Sequence, residues 1–167
     1  MRRHPPLPTF FFFACFACFA CFAGTTTTTP AAEVELTRVW PAWRTAESFD
    51  RISEYFTGEE NPGRHPILRT QPATRAGYYF LIRAKAAAAH PGAKFVLQII
   101  TPASPEPTTH TFPAALTPGQ NVCELGLTGA DWPDRKQHPV AWRLALVAAD
   151  GTELANRQSF LWAKPGP

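Results

Sequence analysis

The sequence predicts an all-β domain, an antiparallel β-sandwich with one short helix. Large apolar residues alternate with polar ones in two stretches, Tyr78–Thr101 and Val140–Trp162, and a period of two places them on one face of a strand. The turn signal Asp150-Gly151 divides the second stretch into two strands. Eighteen prolines among 167 residues disfavour a helical bundle, because proline breaks helices.

The N-terminal residues have the three-part order of a secretory signal peptide. Arg2 and Arg3 form a basic start, and the apolar run Phe10–Ala23 ends in small residues. This run is shorter than the roughly 20 residues that a helix needs to cross a bilayer. We therefore predict a signal peptide over residues 1–23, a Thr/Pro/Ala linker over 24–32 and a β-sandwich domain over 33–164, with cleavage near Ala32 as the alternative. The expected location is secreted, periplasmic or cell-envelope.

Three cysteines, Cys15, Cys18 and Cys21, repeat inside the apolar run. Their spacing could hold a metal, but the intervening residues are Phe and Ala, and no His or acidic ligand is adjacent. We predict no metal site and no cofactor. Attachment of a lipid at Cys18 or Cys21 is the alternative to secretion.

The first elements of the predicted domain are a strand and a helix. Val34–Trp40 reads as a strand that Pro41 ends. A change to helical spacing predicts one amphipathic helix over Ala46–Phe56, capped by Thr45 and closed by Gly58. The helix is expected to lie over the edge or mouth of the sheets, with its apolar face, formed by Phe49, Ile52 and Phe56, toward them.

A hairpin over Gly77–Thr101 is the predicted core of the domain. Tyr78, Phe80 and Ile82 share one face of its first strand, and Phe95, Leu97 and Ile99 share one face of its second. The remaining predicted strands are Ile67–Arg69, Thr108–Phe112 at an edge, Asn121–Leu127, Val140–Ala148 and Glu153–Trp162, and the predicted loops are Pro113–Gln120 and Thr128–Pro139.

Seven or eight short strands without a βαβ rhythm favour two packed antiparallel sheets. This layout resembles that of immunoglobulin-like and fibronectin-type domains in architecture alone, because the sequence has no Cys–Trp–Cys framework. A jelly roll or a small β-barrel is the alternative.

Catalytic and metal-binding residues are scarce in the predicted domain. Cys123 alternates with Leu125 and Leu127, so we predict a buried thiol rather than a nucleophile. Four histidines follow the signal peptide without the close spacing of a zinc site: His65, His90, His110 and His138. No phosphate-binding glycine loop, serine elbow or HExxH stretch occurs.

Two groups of residues are candidate ligand sites. Asp131 and Asp134 flank Trp132-Pro133 in a loop, where an aromatic ring between acids could contact a sugar or calcium ion. Arg69 and Arg75 belong to an arginine-rich region, and arginine favours planar contact with carboxylates or phosphates. The alternatives are that Trp132 plugs one end of the sandwich and that the arginines form structural ion pairs.

The expected function is that of an exported non-catalytic module with a binding or structural role. Without Arg2 and Arg3, 14 basic residues face 13 acidic ones, so we expect no nucleic-acid partner and no membrane contact beyond the signal segment. A carbohydrate or an envelope protein is the expected partner. The alternatives are a small secreted carbohydrate-active hydrolase and a subunit of an envelope assembly.

Overall fold

The computed structural model describes residues 33–61 and 63–163, which contain eight strands and two short α-helices. The strands are β1 (Val34–Arg44), β2 (Ile67–Arg69), β3 (Gly77–Ala86), β4 (His90–Thr101), β5 (Ser104–Leu116), β6 (Gly119–Thr128), β7 (Ala141–Val147) and β8 (Glu153–Gln158). The helices are α1 (Ile52–Thr57) and α2 (Phe160–Ala163), and 3₁₀ turns cover Ala46–Phe49 and Gly129–Asp131.

The strands form two four-stranded sheets. Sheet A has the order β1-β3-β6-β2, and sheet B has the order β5-β4-β7-β8. Every pairing is antiparallel except that of β2 with β6, which is parallel. The predicted fold class, an antiparallel β-sandwich of the immunoglobulin and fibronectin architecture, is confirmed, and neither sheet closes into a barrel.

The two sheets bury the side chains that the period of two predicted. Tyr78, Phe80 and Ile82 of β3 are buried, and so are Phe95, Leu97 and Ile99 of β4. Cys123, Leu125 and Leu127 of β6 and Leu144 and Leu146 of β7 complete the same cluster. In each strand the alternating apolar residues lie on one face, and this face is buried. The buried faces of the two sheets meet in the core.

The predicted hairpin over Gly77–Thr101 is wrong, although both of its strands exist. β3 pairs with β1 and β6, whereas β4 pairs with β5 and β7 in the other sheet. The chain crosses between the sheets in the short connection after Ala86. Periodicity specifies which face of a strand is buried but not which strand pairs with it, and this explains the error.

The predicted end of the first strand at Pro41 is also wrong. β1 continues to Arg44, and Pro41 lies opposite Phe80 of β3. β1 is an edge strand that pairs with β3 alone, and an edge tolerates a residue that has no N–H to donate.

The predicted helix over Ala46–Phe56 is divided in two. A 3₁₀ turn ends at Phe49, and α1 begins at Ile52. Gly58 closes α1 in the left-handed conformation with a φ of 70°, as predicted, but the side chain of Thr45 makes no capping hydrogen bond. Phe49 is buried, whereas Ile52 and Phe56 are exposed, so the expectation that all three face the sheets is wrong.

Two further boundaries differ from the sequence-based ones. The predicted loop Pro113–Gln120 shortens to a tight connection, because β5 extends to Leu116 and β6 begins at Gly119. The predicted last strand ends at Gln158, and Trp162 lies in α2 instead. β8 is an edge strand, and its pairing with β7 shifts register between Leu146 and Val147.

The predicted signal peptide, linker and lipid-attachment cysteines lie outside the described residues. They remain predictions from the sequence.

Candidate functional site

The predicted ligand loop, Thr128–Pro139, leaves β6 at one end of the sandwich. Asp131 ends a 3₁₀ turn and is exposed. Asp134 is exposed as well, and its Oδ1 accepts a hydrogen bond from the backbone N–H of Lys136 at 2.8 Å. Asp134 therefore stabilises the loop itself, and its contact with a ligand remains a prediction.

Trp132 lies in the core between the two acids. Its side chain is 3% exposed, and its ring centroid is 4.9 Å from that of Tyr78. The indole Nε1 donates to the backbone oxygen of Gln137 at 3.3 Å. This placement matches the alternative that Trp132 plugs the end of the sandwich, and it leaves no exposed ring face for a sugar.

A pocket of about 250 Å³ beside this loop brings Asp131 near His110 of β5. Burial lowers the pKa of His110, and the negative charge of Asp131 opposes that shift. Thr101 and Thr108 also line the pocket. Within the described part of the chain, however, His110 has no hydrogen bond to Asp131 or to either hydroxyl, and Asp134 is not in the lining. The pocket therefore lacks the bonded nucleophile and base of a hydrolytic site.

Arg69 binds a carboxylate of its own chain. Its Nη2 and Nη1 donate to the two oxygens of Glu60 at 2.7 and 3.1 Å, and its Nε donates to the hydroxyl of Tyr79 at 2.9 Å. The hydrogen bond from Arg69 holds the pKa of Glu60 below its usual value. The Arg69 side chain is only 6% exposed, so its planar group is already occupied.

Arg75 binds the segment that carries α1. Its Nη1 donates to Oε2 of Glu54 at 2.8 Å and to Oδ1 of Asp50 at 2.9 Å, and its Nε lies 3.6 Å from Glu60. The hydrogen bond from Arg75 lowers the pKa of Glu54. The two predicted ligand arginines thus join the α1 segment to sheet A, as the ion-pair alternative expected, and an additional role in ligand binding remains a prediction.

Tyr79 is the point of sheet A to which this ion-pair network attaches. Its hydroxyl donates to the backbone oxygen of Arg75 at 2.6 Å, and its ring packs on Phe49 with centroids 4.8 Å apart. Burial raises the pKa of Tyr79, whereas the bond from Arg69 opposes the shift. Tyr79 therefore stays neutral and can both donate and accept a hydrogen bond.

A second polar cluster on sheet A was missed in the sequence. Glu124 of β6 is 7% exposed, and its Oε1 and Oε2 lie 3.1 Å from Nε2 of His65 and 3.4 Å from Nη1 of Arg44. These residues line a pocket of about 320 Å³. Glu124 alternates with Cys123 and Leu125 and so lies on the outer face of the sheet, but nothing in the local sequence indicated that the segment before β2 would cover it.

The side chains of α1 point the opposite way from those of an ordinary surface helix. Ile52, Tyr55 and Phe56 are 83%, 95% and 85% exposed, while the side chain of Glu54 is turned inward with 12% exposed. Positions i, i+3 and i+4 share one helix face, so the three apolar side chains form a single patch. We call this patch the α1 apolar face.

Among the described residues, no three His, Cys, Asp or Glu side chains lie close enough together to hold a metal ion. No helix in the described ranges has the length and hydropathy to cross a bilayer.

No protein-family model matches the chain, and no curated protein matches it. Among solved structures, it is similar to an immunoglobulin-like protein from Pseudomonas aeruginosa, with 17% sequence identity and a TM-score of 0.32. The similarity covers 76% of this chain and 94% of that chain. A TM-score this low does not establish a shared fold, so the fold class is assigned from the strand order and register described above.

Replacing Arg69 should destabilise the protein more than replacing Arg75, because Arg69 is 6% exposed and Arg75 is 25% exposed. We expect Arg69→Ala to cost about 2–3 kcal/mol, as loss of a charge-assisted hydrogen-bond pair does. Arg75→Ala should lower the melting temperature by a smaller amount. Denaturant unfolding of both variants checks the order, and equal effects would contradict it.

The same ion-pair network should make the free energy of unfolding depend on pH. Glu54 and Glu60 have lowered pKa values when folded, so the unfolded chain binds more protons as the pH falls. Their contribution is present above the ordinary carboxyl pKa of 4.5 and is lost as the pH falls through the lowered values. The stability difference between the natural protein and Arg69→Ala should therefore shrink from about pH 5 to pH 3.

Cys123 should resist alkylation in the folded protein. Burial, with a smaller effect from neighbouring Glu124, raises the pKa of its thiol to about 12. At pH 8 the thiolate fraction is then roughly 1000-fold below that of an ordinary thiol. Iodoacetamide labelling at Cys123, followed by peptide mass spectrometry, should be slow natively and rapid in guanidinium. Equal rates would show that the thiol is open to solvent.

Proposed function

We propose that this chain is an exported, non-catalytic β-sandwich module that binds another protein through the α1 apolar face. The observation that carries the proposal is the 83–95% exposure of Ile52, Tyr55 and Phe56 on one helix face. Burying such a side chain is worth roughly 1.5–3 kcal/mol, and the isolated chain forgoes this gain at three adjacent positions. A contiguous exposed apolar patch of this kind is typical of an interaction site.

The orientation of α1 indicates that its apolar side chains are exposed for binding rather than by chance. A six-residue helix has little stability of its own, and this one is held by two hydrogen bonds that Glu54 accepts, from Nη1 of Arg75 and from the backbone N–H of Asn61. Asn61 also donates to the hydroxyl of Ser53 at 2.9 Å. These bonds turn the polar side of α1 toward the protein and fix the apolar side outward, so the face is preorganised for a partner.

The charges around α1 favour a protein partner over an anionic membrane. Residues 45–64 contain five acidic residues and two arginines. Three of these acids are paired with Arg69 and Arg75, so the segment carries no excess of positive charge. Helices that lie on anionic membranes carry unpaired lysine and arginine on their polar face, and α1 has none there. Three side chains can bury roughly 500 Å² of their own, less than the roughly 800 Å² that each partner buries in a stable complex. The α1 apolar face would therefore be the centre of a larger contact with an apolar groove.

A small secreted hydrolase is a weaker candidate. His110 and Asp131 share a pocket, but the described residues provide no hydroxyl or thiol hydrogen-bonded to that histidine. Cys123 is held as a neutral thiol by its raised pKa, which removes it as a nucleophile.

Export can be tested on the full chain carrying a C-terminal tag and expressed in a bacterium. We expect a shortened product outside the cytoplasm whose N-terminal sequence begins at Gly24. Deletion of residues 10–23 should keep the product in the cytoplasm. Full-length product in the cytoplasm of cells that express the natural sequence would contradict export.

Binding through the α1 apolar face can be tested with a photo-crosslinking residue at position 55. We expect one discrete adduct in the native host, which mass spectrometry would identify, and none from the same residue at exposed Lys85. With the identified partner purified, Phe56→Ser and Ile52→Ser should each weaken binding about 30-fold, as loss of a 2 kcal/mol hot spot does.

Three outcomes would contradict the binding proposal. Both serine variants should keep the stability of the natural protein within about 0.5 kcal/mol, because the replaced side chains are exposed. A large loss of stability would show that α1 packs inside the fold. Unchanged affinity of both variants would remove the α1 apolar face from the interface, and an adduct between two copies of this chain would replace the partner with self-association.

A further inference from the structure

One edge of sheet A is only partly paired. β2 pairs with β6 over three residues, from Ile67 opposite Glu124 to Arg69 opposite Gly126. The preceding half of β6, Gly119–Cys123, pairs with β3 on one side and with no described strand on the other. We call this half the free β6 edge. At about 3.3 Å per residue it is roughly 17 Å long.

The hydrogen-bonding groups of the free β6 edge can be assigned from the paired half. The backbone N–H of Glu124 donates outward to Pro66 at 3.0 Å, and the oxygen of Gly126 accepts from Thr70 at 2.9 Å. Alternate residues of a strand turn their backbone groups to the same side. The N–H and C=O groups of Gln120 and Val122 therefore point outward, in continuation of the β2 pairing.

An apolar cleft of about 730 Å³ runs between the sheets beneath the free β6 edge. The residues of its lining that matter here are Leu68, Phe95, Ala114, Leu116, Val122 and Cys123. One end is fixed by Asn121, whose side chain exchanges two hydrogen bonds with the backbone of Thr117 at 2.7 and 3.0 Å. The cleft thus lies beside a strand edge that no described strand covers, and its volume is within the usual range of ligand sites.

Other edges of the sandwich carry residues that discourage strand pairing. β5, the neighbouring edge of sheet B, contains Pro105, Pro107 and Pro113, and β1 contains Pro41. Proline and charged side chains are the usual protection of an edge against another chain. The free β6 edge, with the sequence GQNVC, has neither. Its difference from the protected edges favours a specific partner.

We propose that the free β6 edge accepts an extended segment of another polypeptide as an added strand. The segment would continue the position of β2, pair its backbone with Gln120 and Val122, and place alternate apolar side chains in the cleft. An extended polypeptide uses both the backbone groups and the cleft, whereas an acyl chain would use the cleft alone. This site goes beyond the proposed function, because it does not involve the α1 apolar face.

The test uses a capped heptapeptide of alternating valine and threonine, added to the purified protein at up to about 1 mM. We expect the backbone amides of Gln120 and Val122 to exchange hydrogen at least about tenfold more slowly, and amide shifts to change along β6. A peptide of the same composition with its valines in one block, and one with a central proline, should give no protection.

A pair of variants separates strand addition from other binding. Val122→Pro removes the outward N–H and leaves the donors that face β3 in place, so protection should be lost. Val122→Thr keeps the donor and the shape of the side chain, so protection should remain. If Val122→Pro does not fold, the peptide comparison in the natural protein decides the question.

Three results would overturn the proposal. The first is no protection of Gln120 and Val122 by the alternating peptide. The second is binding of palmitate in the cleft at lower concentration than the peptide, without protection of these amides, which would make the cleft a lipid site. The third is protection of the same amides on raising the protein concentration without peptide, which would make a second copy of this chain the occupant.

Discussion

The arrangement of the outer layer depends on Tyr79, which is buried on the face of sheet A that points away from the sandwich core. Its neighbours Tyr78 and Phe80 fill that core, so two opposite faces of β3 are buried at this position. A tyrosine suits such a site because its ring packs on Phe49 while its hydroxyl binds Arg69 and the backbone of Arg75. Without that anchor, the segment between β1 and β3 would have little apolar area with which to stay on the sheet.

The same geometry explains why positions 69 and 75 are arginine rather than lysine. Arg69 uses three of its nitrogens at once, two on Glu60 and one on Tyr79, and only a planar guanidinium can do this from a buried position. Arg75 divides its contacts among Asp50, Glu54 and Glu60. The acids that surround the arginines in the sequence therefore neutralise them in the fold. The result is a preorganised segment that carries α1 and has its charges paired internally, rather than a cationic surface for anions.

The sequence could predict strands and buried faces but not partners. Alternation alone placed Phe80, Leu97 and Leu125 in the core, because any sandwich must bury the apolar face of each strand. It could not say that β3 and β4 belong to different sheets, since a hairpin and a crossing connection bury the same faces. It also could not predict that Glu124 is buried, because the cover comes from residues some sixty positions earlier, near His65. Helical spacing identified α1 but assigned its apolar face to the interior, since spacing does not tell which side a short helix presents.

The chain that remains after the predicted signal peptide has a small net charge, and this makes the exposure of the α1 apolar face and the free β6 edge significant. With 14 basic and 13 acidic residues, its net charge is close to zero, so electrostatic repulsion contributes little to keeping copies apart. An exposed apolar patch and an unprotected strand edge on such a protein would promote indiscriminate association. The prolines of β1 and β5 show that two other edge strands of the same sandwich do carry protection. The α1 apolar face and the free β6 edge are left exposed in this way, next to edges that proline protects. A module with defined partners would require such selective exposure.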